Sequence, residues 1–326
     1  MGVMETFSFW NLNTKKSYDE TIQNMIDYEG WKPVNYDTVD SERDLQFLIE
    51  VDNSDEYKLE ISDDESFRFS KVLHSWERVV STESNNKDVN RRIKQSDLEF
   101  LVCENSTGQV FFIAFKGLTA NTKTALRSAN NFSGKKEITE NSLDVSEDIF
   151  YWLFNRYMNF ETEELFKGTS AYVNALTAYR GGTDDEANDT WGRGLRITKI
   201  LATLAFLFNT EKLKSLTPEL SVDNINLTVE INLNGSYKFD VDSHTGNFFL
   251  YQRDKKKGCL LIYFYKVIYP TILKAYKHHL DVGSWNEQMK LNFISSIGAE
   301  IQDKVKEKLD DIKFDLGNET ENLDNQ

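Results

Sequence analysis

The chain has 326 residues, of which 40% are hydrophobic and 13% aromatic, and its net charge is −15. This apolar content excludes a globally disordered chain, and the length allows either two domains or one large domain. The two cysteines, Cys103 and Cys259, cannot build a disulfide framework or a cysteine-rich zinc site, so we expect both to be core residues in a reducing compartment.

Targeting and membrane signals are weak in this sequence. No apolar stretch reaches the roughly 18–20 residues that span a bilayer. The N-terminal residues lack a basic segment followed by an apolar one, so we expect no signal peptide. We therefore predict a cytoplasmic protein without a membrane partner. The many Asn and Lys residues are typical of low-GC bacterial proteins.

The first part of the chain predicts a helix followed by a sheet. Ser17 and Glu20 form a capping-box pattern, which predicts a helix that ends near Gly30. Short strands are expected at residues 45–51, 57–61 and 66–72. Residues 98–104 and 109–117 predict a hairpin that lies centrally in the sheet, because Phe, Val, Ile and Cys dominate both arms.

The middle of the chain predicts mainly helices. A polar segment, residues 119–142, suggests a domain boundary near residue 142. Asp144 and Glu147 resemble a second capping box that opens a helix. Residues 161–179 are expected to be helical, followed by a glycine-rich loop at 179–194 and a buried helix at 195–208.

The last third predicts a β-meander closed by helices. Strands at 227–233 and 236–241 flank Asn234 and Gly235, which favour a tight turn. Strands at 246–251 and 258–263 would continue the meander, and helices at 264–280 and 284–312 would close it. An acidic, flexible tail is expected at 315–326.

These elements predict an α+β fold in two domains. Residues 1–142 would form an N-terminal domain with a mixed or antiparallel sheet and helices. Residues 143–314 would form a helical segment packed on a C-terminal β-meander with two closing helices.

Charge is unevenly spread along the chain. Residues 1–66 contain 17 acidic and 5 basic residues, a net charge of −12. Residues 87–136 contain 9 basic and 4 acidic residues (+5), and residues 253–279 contain 7 basic and 1 acidic residue (+6). A ligand responds to the local field within a Debye length of about 8–10 Å, so the two basic segments predict an anion-binding surface despite the acidic whole.

The candidate contacts with nucleic acid or another phosphate-bearing ligand are all basic side chains. In the first basic segment they are Arg91, Arg92, Lys94, Lys123, Arg127, Lys135 and Lys136. The other candidates are Arg193 and Arg196 in and after the glycine-rich loop, and Lys255, Lys256 and Lys257 in an expected hairpin turn. Lys and Arg beside small polar donors are the usual partners of a nucleic-acid backbone.

The glycine-rich loop matches neither the P-loop nor the dinucleotide-binding fingerprint. Its arginines could meet an anion at the start of the next helix, but Asp184, Asp185, Glu186 and Asp189 would repel phosphate unless they are neutralised. The alternative is a solvated connection between two helices.

Catalytic signals are sparse, and we predict no catalytic residue, no bound metal and no cofactor. Asp240, Asp242 and His244 alternate along a strand end and could hold a divalent ion, although such clusters also form turns. The Gly-x-Ser-x-Gly motif of many serine hydrolases is absent from the sequence.

Three hypotheses follow from these patterns. The first is a non-catalytic binding protein for DNA, RNA or another phosphate-bearing ligand, and we hypothesise that it is an accessory subunit of a bacterial system such as phage defence. The second is an oligomerising or adaptor protein that binds another protein through its C-terminal helix and acidic N-terminal face. The third is a divalent-metal enzyme that uses Asp184, Asp185 and Asp189, or Asp240 and Asp242.

Overall fold

The computed structural model describes residues 4–54, 57–182, 188–194, 196–209 and 212–323, with side chains described as far as residue 313. It is 37% helical and 31% strand, which confirms the α+β class. In chain order the elements are β1 (Glu5–Leu12), α1 (Tyr18–Ile26), β2 (Phe47–Asp52), β3 (Lys58–Glu60), β4 (Ser66–Val79), α2 (Val89–Arg92), β5 (Ile93–Asn105), β6 (Val110–Ala114), α3 (Ala120–Ala129), β7 (Ile138–Glu140), α4 (Glu147–Asn159), β8 (Ala171–Gly182), β9 (Asp189–Arg193), α5 (Leu201–Phe208), β10 (Lys212–Val222), β11 (Ile225–Asn232), β12 (Tyr237–Phe239), α6 (Arg253–Tyr263), α7 (Tyr269–Asp281) and α8 (Glu287–Leu323).

The chain divides into two compact units. Unit 1 is Met1–Val145 together with Ile231–Val267, and unit 2 is Ser146–Glu230 together with Ile268–Gln326. The sequence suggested a single division near residue 142. The difference is that the chain returns to unit 1 for residues 231–267.

Unit 1 is built on a sheet with the strand order β2-β4-β5-β6-β1-β12. Short strand β3 also pairs with β4, and β7 also pairs with β1. The pairings described within this sheet are antiparallel. The expected hairpin is present as β5 and β6, and both of its arms lie inside the sheet, as predicted.

Both faces of the unit 1 sheet are covered, because its strands alternate between two apolar sets. On one face Trp10, Phe100 and Phe112 form a core with residues of α1 and α3. On the other face Phe9 stacks on Tyr265, with 4.4 Å between ring centroids, in the five-residue π-helical segment Phe264–Ile268.

Local sequence signals explain the first helix. The Ser17 hydroxyl accepts a hydrogen bond from the Glu20 amide, and the Glu20 carboxylate accepts one from the Ser17 amide, so the predicted capping box is present. A short 3₁₀ turn, Tyr28–Gly30, follows α1. Helix α1 itself therefore ends at Ile26, before the predicted end near Gly30, and the 3₁₀ turn extends to Gly30.

The prediction of strands at 246–251 and 258–263 is wrong. Residues 246–251 form turns, and residues 258–263 belong to α6. The last seven residues of α6 are all buried, and a short, uniformly apolar run does not distinguish a helix from a buried strand by periodicity. Gly258 is required inside this helix, because a Cβ there would lie 2.3 Å from the Phe69 ring.

One helical run, Arg253–Asp281, is long and apolar enough to cross a bilayer when judged by length and composition alone. Within its most apolar window, 61% of the residues are buried in the protein. Buried core helices of water-soluble proteins pass the same test, so this observation is weak evidence for a membrane span.

Unit 2 contains a four-stranded sheet with the order β11-β10-β8-β9. The prediction of a helix at residues 161–179 is wrong, because residues 171–182 form strand β8. Its pairing with β10 skips Asn174 and Thr177, and these bulges break the period-two pattern that identifies a strand in a sequence. The glycine-rich segment is accordingly part of a strand pair, β8 with β9, and not a connection between two helices.

The helices of unit 2 also differ in detail from the sequence prediction. Ser146, and not Asp144, is the N-cap of α4, and its hydroxyl accepts a hydrogen bond from the Ile149 amide. The helix expected at 195–208 is described as a 3₁₀ turn, Ile197–Lys199, followed by α5. Helix α8 continues to Leu323, through most of the segment expected to be a flexible tail.

Asp148, in the first turn of α4, joins three elements of unit 2. Its Oδ2 accepts hydrogen bonds from Tyr276 Oη and Trp285 Nε1, both at 2.7 Å, and its Oδ1 accepts one from Lys290 Nζ at 3.0 Å. Partial burial opposes ionisation, but the bonds from Trp285, Tyr276 and Lys290 outweigh it and hold the pKa of Asp148 below its ordinary value.

We expect Asp148→Asn to lower the free energy of unfolding at pH 7 by about 1–3 kcal/mol, because bonds to a charged acceptor are lost. A carboxylate with a lowered folded pKa stabilises the fold above its unfolded pKa of about 3.9, and this stabilisation is lost as the pH falls through the folded value. The difference between the two proteins should therefore shrink below about pH 4. Urea unfolding followed by tryptophan fluorescence measures the unfolding free energy of both proteins at each pH. The matched control is Asp281→Asn, which changes an exposed carboxylate.

Candidate functional site

Unit 1 contains a cleft of about 840 Å³ between helix α3 and the ends of strands β1, β4, β5 and β6. We call it the α3 cleft. Its lining side chains are mostly polar or cationic, with two aromatic rings among them. The lining includes Glu5, Trp76, Arg78, Ser96, Phe115, Lys116, Thr119, Asn121, Thr122 and Thr124.

The sheet wall of the cleft is set by the pairing of β4 with β5. Arg78 lies directly opposite Lys94, and Trp76 lies opposite Ser96. Trp76, Arg78 and Ser96 line the cleft, and Lys94 shares their face because it lies two residues from Ser96 on the same strand. Like charges directly opposite one another in a sheet repel. Within the described part of the chain, neither Arg78 nor Lys94 has a carboxylate partner.

The opposite wall is the amino-terminal half of α3. The Thr119 hydroxyl caps this helix by accepting a hydrogen bond from the Thr122 amide. The first turn of α3 contains no acidic residue, and its free amides add partial positive charge at this wall. Asn121 and Thr124 place further polar groups at the cleft.

The carboxylate in the cleft wall, Glu5, is ion-paired with two cations. Its oxygens lie 3.3 Å from Arg253 Nη2 and 2.6 Å from Lys257 Nζ. Lys257 also pairs with Glu99 at 3.1 Å and lies 3.3 Å from the centre of the Phe115 ring. Both cations are shared, because Arg253 also pairs with Asp242 and Lys257 with Glu99, so the charge of Glu5 is only partly compensated.

The remaining groups of the wall are a cation and an indole. Lys116 Nζ donates a hydrogen bond to the backbone oxygen of Asp97. The Trp76 ring stacks on His74, with 4.7 Å between centroids. Burial lowers the pKa of His74, so this imidazole is neutral at pH 7 and leaves the charge of the cleft unchanged.

Three of the residues selected from the sequence lie at or beside this cleft. Lys94 continues its sheet wall, and Lys123 is on α3, one turn from the helix start. Lys257 contacts two lining residues, Glu5 and Phe115. Arg78 and Trp76 were missed by the sequence analysis, because only the β4–β5 register shows that they lie beside Lys94 and Ser96.

Arg92 is a structural residue. It is buried, and its guanidinium donates to both carboxylate oxygens of Asp37 and to the backbone oxygens of Asn86 and Lys87. We therefore leave Arg92 out of the candidate surface. The pair also accounts for one of the carboxylates in residues 1–66, because Asp37 is bound to Arg92 inside unit 1.

The other selected residues of unit 1 are distributed around it. Arg91 is exposed on α2, 4.0 Å from Asp88. Arg127 is held by a hydrogen bond to the backbone oxygen of Ser133, and Lys135 and Lys136 are exposed in the connection to β7. Lys255 and Lys256 lie on α6, and not in the hairpin turn expected from the sequence.

Arg193 and Arg196 belong to unit 2 and are exposed. In the same strand pair Asp189 accepts hydrogen bonds from Arg180 at 2.5 Å and Lys214 at 2.9 Å. Asp189 is thus neutralised by cations of this unit. Asp184, Asp185 and Glu186 lie outside the described residues.

The described side chains contain no arrangement that supports metal or thiol chemistry. No group of three or more His, Cys, Asp or Glu residues in that part of the chain could hold a metal ion. Asp240 caps a short turn by accepting from the Asp242 amide, and Asp242 pairs with Arg253. Both cysteines are buried, and burial raises the pKa of Cys259 to about 12.

No protein-family model matches the chain, and no curated protein matches its sequence. The chemistry of the site must therefore be argued from its own residues. These define a pre-formed cleft with a positive wall, polar donors and two aromatic rings.

We expect Lys257→Met to lower the free energy of unfolding by about 1–3 kcal/mol, since Glu5 and Glu99 lose a shared, buried cation. Chemical denaturation followed by circular dichroism measures the change. Lys255→Met is the matched control, because Lys255 has no carboxylate partner among the described residues. Equal losses in the two variants would contradict the assigned role of Lys257.

Proposed function

We propose that this protein binds nucleic acid or a similar phosphate-bearing ligand through the α3 cleft of unit 1. The observation that carries the proposal is the Arg78–Lys94 pair. Two cations lie directly opposite each other at the cleft, and neither has a carboxylate partner in the described part of the chain. An anion bound between them would relieve their repulsion.

The other groups of the cleft suit a phosphate ester. Lys116 adds a third cation, and the start of α3 presents backbone amides, which are common phosphate donors. Of the residues that line the cleft, Arg78 and Lys116 are cations and Glu5 is an ion-paired carboxylate, so the lining has a net positive charge although the whole chain carries −15.

A polymeric anion fits unit 1 better than a single phosphate group. Lys123, Lys135 and Lys136 are cations outside the cleft, on α3 and in the connection that follows it, and no carboxylate partner is described for them. A chain of phosphates could contact several such cations in turn, whereas a small ligand would use only those of the cleft. The proposed role is non-catalytic, and an accessory role in bacterial phage defence stays a prediction from composition.

We expect the double variant Arg78→Ala with Lys94→Ala to bind a labelled DNA or RNA oligomer more weakly. Each lost phosphate contact should reduce the slope of log affinity against log salt by roughly 0.7 for a single strand or 0.9 for duplex DNA. Fluorescence anisotropy at salt concentrations from about 50 to 200 mM measures this slope.

The matched control is Lys306→Ala with Lys308→Ala, which removes the same charge from exposed positions of α8. Its salt slope should equal that of the unmodified protein. If the unmodified protein binds neither DNA nor RNA at the lowest salt concentration, the proposed function is wrong.

A second candidate function, binding of another protein chain, is favoured by α8. Phe293 and Ile297 are buried, but the apolar stripe continues beyond them as Val305, Leu309 and Ile312, whose exposed fractions are 41–51%. The spacing of these three residues puts them on one face of the helix. Intrahelical pairs such as Lys304 with Glu300 flank this face. Such a stripe with charged flanks is typical of helices that pair with another helix.

We expect the unmodified protein to self-associate and Val305→Ser with Leu309→Ser to shift it towards the monomer. Light scattering coupled to size-exclusion chromatography, over a range of concentrations, measures the mass. The control Val282→Ser changes an exposed apolar residue outside α8 and should leave the mass unchanged. A monomer at every concentration would argue against self-association.

A further inference from the structure

Unit 1 exposes three consecutive apolar side chains just before α6. The exposed fractions are 60% for Phe249, 90% for Leu250 and 38% for Tyr251. We call residues 249–251 the aromatic tip. Nothing in the α3 cleft requires these residues, because none of them lines it.

The backbone holds the aromatic tip in place. Phe248, immediately before it, is buried and packs against Tyr263 with 5.9 Å between ring centroids. The Phe249 amide donates to the Gly246 oxygen at 3.0 Å, and the Tyr251 amide donates to the Phe248 oxygen at 3.1 Å. The exposure of the tip is therefore a property of a hydrogen-bonded turn with a buried anchor.

Two lysines of α6 lie over the rings of the tip. Lys255 Nζ is 4.6 Å from the centre of the Tyr251 ring, and Lys256 Nζ is 5.3 Å from that of Phe249. Neither ammonium has a carboxylate partner among the described residues. Exposed rings beside unpaired cations are the arrangement with which proteins stack unpaired bases and contact the adjoining phosphates.

The aromatic tip is linked to the α3 cleft through the first residues of α6. Arg253, two residues after Tyr251, pairs with Glu5 of the cleft wall, and Lys257 contacts both Glu5 and Phe115. A strand bound in the cleft would pass this edge to reach the tip. A duplex keeps its base faces stacked inside, so rings at the tip can act on a single strand only.

We infer that the ligand of the α3 cleft is a single-stranded nucleic acid whose unpaired bases stack on Phe249 and Tyr251. This inference rests on the proposed function and specifies its ligand. The cleft supplies contacts to phosphates, and the tip supplies contacts to bases without selecting a sequence, because every base has an aromatic face.

The test compares a labelled single-stranded thymidine oligomer with an abasic oligomer that has the same number of phosphates. Each stacked base should strengthen binding by about tenfold, so the unmodified protein should prefer the thymidine oligomer. Phe249→Ala with Tyr251→Ala should remove this preference and leave the salt slope unchanged. Val34→Ala with Tyr36→Ala, at other exposed positions of unit 1, is the control and should keep the preference.

Two results would overturn the inference and leave the proposed function standing. One is equal affinity of the unmodified protein for the two oligomers. The other is a tip variant that keeps the full preference for the thymidine oligomer. If the unmodified protein binds neither oligomer, nor duplex DNA, nor RNA, the proposed function itself fails and the inference fails with it.

Discussion

The antiparallel register of β4 with β5 determines the candidate site. It runs without a shift from Phe67 opposite Asn105 to Val79 opposite Ile93, at the centre of the unit 1 sheet. A slip of one residue would move Arg78 and Trp76 to the opposite face, which is filled by aromatic rings. The apolar residues of β4 and β5 hold this register, because Val72, Leu98, Phe100 and Val102 are buried in the core beneath α1 and α3. The packing of the core thus places two like charges opposite each other on the strands that form the sheet wall of the cleft.

The distribution of charge explains how an acidic chain can present a positive cleft. Several carboxylates of the acidic N-terminal segment are paired within unit 1: Glu5 with Arg253 and Lys257, Asp19 with Arg68, and Asp37 with Arg92. An ion pair has a weaker field at long range than a lone charge, because its opposite charges offset each other. What remains for a ligand is the set of unpaired charges, and at the cleft these are cations.

Sequence reasoning found the parts of the fold that depend on local signals. The capping box at Ser17 and the hairpin between β5 and β6 follow from residues close together in the chain, and both are present. It failed where tertiary structure overrides the local pattern, as in the bulged strand β8 and the buried helix α6. It selected Lys94 and Lys257 but also Arg92, because the partner that buries Arg92, Asp37, lies 55 residues away in the sequence. Arg78 could be recognised only from the register of its strand.

The exposed apolar residues of the protein fall into two chemically different sets, and this difference decides what each can bind. The stripe on α8 has flanking charges of both signs that are paired along the helix, such as Lys304 with Glu300, so it favours another helix with a similar edge. The aromatic tip has lysines without carboxylate partners above its rings, so a neutral apolar partner would have to cover uncompensated ammonium groups. A single-stranded polyanion satisfies the rings and the lysines together. We therefore propose separate interactions for the two surfaces, and we expect a substitution in one surface to leave the other interaction in place.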